Sequence, residues 1–118
     1  MLTFAFLVLT LNPNGDVRMT LSDSQNLAAC QAKRDKITPV LVDAGYNVLA
    51  SLCAETKLHL TPYDHSNPDV PLNQYQVEIT GNTYAVAPVA EGDACVTATK
   101  STPTRYCALS PQSVIKAQ

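Results

Sequence analysis

Residues 1–21 read MLTFAFLVLTLNPNGDVRMTL. The stretch is either the apolar core of a signal peptide or two strands joined by a turn. A leader carries a positive n-region, an apolar stretch and a small-residue cleavage site. The apolar stretch is present, but no Lys or Arg precedes it and nothing like A-x-A comes after it. The apolar run ends instead at Asn12-Pro13-Asn14-Gly15-Asp16, a strong turn signal. Then comes Val17-Arg18-Met19-Thr20-Leu21, which alternates strictly. If Leu11 pairs with Val17, Leu9 faces Met19 and Leu7 faces Leu21, so all six share one sheet face. Phe4, Phe6 and Val8 fall on the other face, which makes the first strand buried on both sides. The strand reading is preferred. On it, the chain as given carries no export signal of its own.

Outward from this hairpin, Ser22-Asp23-Ser24-Gln25 offers helix N-cap residues, with Gln25 three after Ser22 as in a capping box. Leu27, Cys30, Ile37, Leu41 and Ala44 come next, with Arg34 filling the gap, in a single helical stripe. Pro39 interrupts the stripe because it has no N–H to donate. Thr38 is then a candidate cap for a second segment with Pro39 at its first position. The expectation is one kinked helix or two abutting ones, closed by Gly45.

This layout brings two cysteines together. From Cys30 to Gly45 a helix advances about 22 Å, at roughly 1.5 Å per residue. Tyr46 to Cys53 (YNVLASLC) is strand-like. If it returns antiparallel, it covers about 26 Å, at roughly 3.3 Å per residue. Cys53 thus comes back level with Cys30, and a disulfide there closes a loop worth about 3 kcal/mol. Cys95 and Cys107 bracket a polar, Thr-rich segment with Pro103 that reads as a hairpin with an irregular tip. Four cysteines allow three connectivities, and the two local pairs are preferred. The alternative is four reduced, buried thiols in a cytosolic protein. No C-x₂₋₄-C pair supports zinc, and no C-x-x-C supports a redox site.

The strands Tyr75–Thr80 and Thr83–Pro88 flank Gly81-Asn82, a tight hairpin. In that register Ile79 opposes Tyr84, Val77 opposes Val86 and Tyr75 opposes Pro88. Lys57–Thr61 reads as another strand. Ser110-Pro111 is placed to cap a short C-terminal helix over Gln112–Lys116.

The chain has 118 residues, a net charge of −2 and only 15% charged residues, where about 25% is usual. That length fits one domain over 1–118. Neutral polar residues replace the missing charge: Thr occurs 12 times, Ser and Asn seven times each, Gln six. Such a surface has little long-range field, and without a basic excess the chain does not read as a nucleic-acid binder. No apolar run approaches the roughly 20 residues of a membrane span. Lys33, Arg34 and Lys36 form the single basic cluster, read as a solvated helix face with a phosphate patch as the alternative.

Candidate chemistry centres on Thr61–Asn73, a polar loop with three prolines. Long loops of this kind are often functional. His59, Asp64, His65 and Asp69 are weak metal candidates: His-x₅-His does not match helical zincin spacing. Ser66, His65 and Asp64 supply the residue types of a hydrolytic triad, but neighbours in a loop rarely converge as a triad requires. No catalytic residue or cofactor is assigned. Tyr63, Tyr75 and Tyr84 are candidates for an aromatic contact patch, against a reading in which the two hairpin tyrosines are core.

The sequence therefore predicts an α+β fold: an N-terminal β-hairpin, one kinked helix packed on an antiparallel sheet, further hairpins and a short C-terminal helix. The leading function is a small non-enzymatic, disulfide-stabilised bacterial-type domain, protein-binding or structural, with another protein as partner. One alternative is a small metal-dependent or hydrolytic enzyme at the His59/His65 loop. Another is an inhibitor or immunity-type partner of a secreted enzyme. Cysteines and surface point to a periplasmic or secreted location, with the leader absent from this chain. The alternative is cytoplasmic with reduced thiols.

Overall fold

The computed structural model describes residues 3–61, 71–90 and 92–115. Its seven elements, in chain order, are β1 (Thr3–Leu11), β2 (Val17–Ser24), α1 (Leu27–Asp43), β3 (Asn47–Thr56), β4 (Asn73–Thr80), β5 (Thr83–Val89) and β6 (Thr104–Ser110). The strands form one six-stranded sheet in the order β3-β1-β2-β6-β4-β5. Neighbours are antiparallel except β2 and β6, which pair in parallel through Val17–Ala108 and Arg18–Leu109. The sheet is therefore mixed rather than antiparallel. The chain reaches β6 only after the β4–β5 hairpin, so β6 slots between β2 and β4 from the far end.

The first hairpin has the register set by alternation, with Leu11 opposite Val17, Leu9 opposite Met19 and Leu7 opposite Leu21. The turn bonds Asn12 N to Asp16 O, and Gly15 takes φ +94°, a left-handed value that glycine tolerates. The β4–β5 hairpin likewise pairs Ile79 with Tyr84 and Val77 with Val86. Inward-facing residues of all strands make the main core, including Leu7, Leu9, Met19, Leu21, Tyr75 and Val77. The sheet curls until its edge strands β3 and β5 approach one another. The Tyr84 hydroxyl of β5 crosses the interior, donating to Ala5 O of β1 at 2.6 Å and to Ala54 O of β3 at 3.4 Å. On the outer face, Phe6 and Val8 meet Cys30 under the helix. Ala5–Leu9 are thus buried without a break.

α1 differs from expectation at its start. Ser22, Asp23 and Ser24 stay in β2, opposite Phe6, Ala5 and Phe4. The cap is Asn26, whose Oδ1 accepts from Ala29 N at 2.8 Å. Pairing with β1 outcompetes capping, so the helix begins where that pairing ends. Pro39 does not split the helix, which runs through it as one element. Thr38, instead of capping, shares a 2.6 Å hydrogen bond between its Oγ1 and Ser51 Oγ on β3. Gly45 at φ +91° ends the helix, with Gly45 N on Val42 O and Tyr46 N on Leu41 O, a Schellman closure. The apolar stripe is only partly used. Cys30 is buried and Leu41 half-buried, but Leu27, Ile37 and Ala44 are exposed, because a single helix touches a curled sheet along a narrow line.

Three further expectations are corrected. Residues 57–61 do not form a strand; among the described residues, Leu60 alone of them bridges, to Val114. Residues 92–103 are irregular, with one bridge from Ala98 to Arg105, so only β6 of that expected hairpin is a strand. The C-terminal helix is absent over residues 112–115, where the backbone bonds Thr61 N to Ser113 O and Ile115 N to His59 O. One turn is too short to nucleate alone, and tertiary partners claim Gln112 first. Lys116 lies outside the described residues.

Candidate functional site

The two disulfides are Cys30–Cys53 and Cys95–Cys107. The first joins the buried face of α1 to β3 with a Cα–Cα distance of 6.0 Å, the pair selected by helix and strand rise. The second holds the irregular segment 92–103 against β6, where Thr97 Oγ1 accepts from Cys107 N at 2.9 Å. The first staple matters for the site because it fixes how α1 lies on the sheet.

Two side chains fix the rotation of the helix. Lys33 Nζ donates to Ser22 Oγ (3.4 Å) and Asp23 O (3.0 Å) on the β2 side. Thr38 meets Ser51 on the β3 side. Lys33, Ile37, Val40 and Ala44, spaced four, three and four apart, therefore share the flank that overlooks β2. Beyond that flank the sheet carries no second helix among the described residues, and a groove of about 300 Å³ opens between α1 and β6, at the small end of ligand-sized clefts. Its floor is Val8 and Thr10 of β1 with Arg18 and Thr20 of β2. Leu41 and Tyr46 close it on the helix side, Leu109 and Pro111 on the β6 side. The Schellman closure makes Tyr46 part of the wall, by folding the chain back over Leu41.

Among the described residues, Arg18 is the one charged side chain in the groove lining. Its Nε is buried and, among the same residues, makes no hydrogen bond. Its Nη2 stands 3.9 Å from Asp16 Oδ2, beyond hydrogen-bonding range, while Asn14 Nδ2 donates to that same carboxylate at 3.0 Å. The guanidinium edge that suits a carboxylate is thus not saturated by its own chain.

The residues singled out from sequence do not converge here. His59 is half-buried with Nδ1 3.2 Å from Asp23 Oδ2. Tyr63, Asp64, His65, Ser66 and Asp69 lie outside the described residues. Among the described residues no group of three His, Cys, Asp or Glu side chains is placed to hold a metal. Tyr75 and Tyr84 are core, not a contact patch: burial leaves them 1% and 8% exposed, with the Tyr75 hydroxyl donating to Gln112 O at 2.6 Å. Burial raises both phenol pKa values, and the charge of Asp23 raises that of Tyr84 further. Of the basic cluster, Lys33 turns to β2 and Arg34 to its neighbour Asp35 at 3.2 Å, so the three do not form one phosphate seat.

The groove itself escapes sequence reading. Its lining is drawn from β1, β2, the end of α1 and the end of β6, so no local pattern announces it. No described helix is long and apolar enough to cross a membrane. Comparison with protein-family models, curated proteins and solved structures gives no match for this chain.

Proposed function

We propose that the chain is a small, non-enzymatic, disulfide-stapled module of an extracytoplasmic bacterial type that acts by binding another protein. The observation that carries this reading is the β2-facing flank of α1. Ile37 and Val40 are 36% and 63% exposed on a helix that a disulfide clamps to the sheet, and Tyr46, just past its end, is 54% exposed. Apolar side chains grouped on a rigid surface gain free energy when a partner removes them from water. Two disulfides suit an oxidising compartment, which supports a periplasmic or secreted location. The largely uncharged remainder of the surface gives little long-range field, so recognition falls to local contacts at the groove.

A photo-crosslinking residue placed at Val40, or at Tyr46, tests this in the producing cell. A discrete adduct with another protein is expected from both positions and none from Asn82 in the β4–β5 turn. No adduct from Val40 or Tyr46 overturns the protein-binding reading. Non-reducing mass spectrometry of the same material tests the compartment, where four free thiols in the exported fraction overturn it.

A further inference from the structure

We infer that the groove between α1 and β6 receives an extended, acidic segment of the partner protein. In this arrangement a carboxylate sits on Arg18, and an apolar side chain lies against Leu41, Tyr46 and Leu109. The inference rests on the protein-binding reading and adds the chemistry of the partner.

Three observations carry it. The first is charge. The chain as a whole is net negative, yet the one charged side chain among the described residues lining this groove is basic. Arg18 stands on the floor. The second is the unmet donor. Arg18 Nε has no partner among the described residues, and Nη2 is 3.9 Å from the nearest carboxylate. A guanidinium binds a carboxylate most specifically along such an edge, through two parallel hydrogen bonds. Asp16 is the one acid close to Arg18 among the described residues, and it is held by Asn14 Nδ2 and by its own backbone N–H on Asn14 Oδ1. The third is the mixed lining. Thr10 and Thr20 offer hydroxyls on the floor, while Leu41, Leu109 and Pro111 are apolar walls. A segment alternating acidic and apolar residues puts its acids on one side and its apolar side chains on the other, matching both.

The probe is a capped peptide alternating Glu and Leu, titrated into the isotope-labelled full chain with both disulfides intact and followed by NMR. A Lys–Leu counterpart is the control. The Glu–Leu peptide is expected to shift the amides of Arg18, Thr20, Leu41, Tyr46 and Leu109 saturably, with affinity that falls as salt is added. Arg18→Gln is expected to weaken binding about tenfold, and Tyr46→Ser, at an exposed residue of the groove wall, to weaken it while leaving the fold intact. Equal binding of the Lys–Leu peptide, shifts confined to other surfaces, or no effect of Arg18→Gln in a folded variant each overturn the inference. So does a crosslink from Val40 to a second copy of this chain. If the peptide fails to bind while Val40 still crosslinks to another protein, the acidic chemistry is wrong and the protein-binding reading stands.

Discussion

Gln112 replaces a piece of missing sheet. The parallel ladder between β2 and β6 covers only Val17 and Arg18 on the β2 side. Past it, the main-chain groups of Leu21 would be buried without partners. The Gln112 amide serves both: Oε1 accepts from Leu21 N at 2.9 Å, and Nε2 donates to Leu21 O at 2.8 Å. Nε2 also donates to Thr61 O at 2.7 Å, and Ser110 Oγ donates to Oε1 at 3.3 Å. The side chain is an amide like the peptide group it mimics, which is why Gln fits and an aliphatic residue does not. Gln112→Ala leaves the donor and acceptor of Leu21 buried and unsatisfied. It is expected to lower unfolding stability by about 2–4 kcal/mol, read from the midpoint of urea denaturation at unchanged slope. Nothing in the sequence marks this residue, because its partner is 91 positions away. The local signal, Ser110-Pro111 before five helix-compatible residues, points instead to a helix.

At the level of elements, the helix holds to the sheet by one thin contact and one covalent bond. Cys30 is its single buried residue, so the Cys30–Cys53 bridge replaces much of the packing that a full apolar stripe would supply. Cys30→Ala with Cys53→Ala is expected to cost about 3 kcal/mol from loop entropy. It is also expected to make α1 the first element to lose amide-exchange protection, while β1 and β2 keep theirs. Retained helix protection would mean the packing, not the bridge, holds α1. The hairpins were legible because a short turn fixes register and alternation fixes the face. The helix was legible in position, but its start was not: Ser22 and Ser24 suit a cap or a strand end equally, and the presence of β1 decides for the strand. Lys57–Thr61 alternates like a strand, but among the described residues its pairing is a single bridge, Leu60 to Val114, and one bridge makes no strand.

For the molecule as a whole, Tyr84 fastens the curl of the sheet, since its hydroxyl ties edge strand β5 to β1 and β3. Its pKa is raised above the usual phenol value, first by burial and then by Asp23. A free phenol titrates near pH 10. Below that pH the phenol is neutral in both folded and unfolded chains. Above it the unfolded chain releases the proton while the folded chain keeps it, so stability falls as pH rises. Tyr75, also raised by burial, adds in the same direction. Denaturation midpoints are expected to drop above about pH 10. Tyr84→Phe is expected to be less stable at neutral pH, by about 1 kcal/mol for the lost hydrogen bond, yet to lose less on going alkaline. An equal alkaline loss in the variant would place the effect elsewhere. The Cys30–Cys53 pair and the two hairpins arise from local spacing, because helix rise, strand rise and turn length are properties of short segments. By itself the sequence determined these, together with the uncharged surface. Only the tertiary structure decided the parallel insertion of β6, the Gln112 clamp and the groove beside α1. Each joins residues distant in the chain, and their contacts exist only once the sheet has curled and the helix has been pinned across part of it.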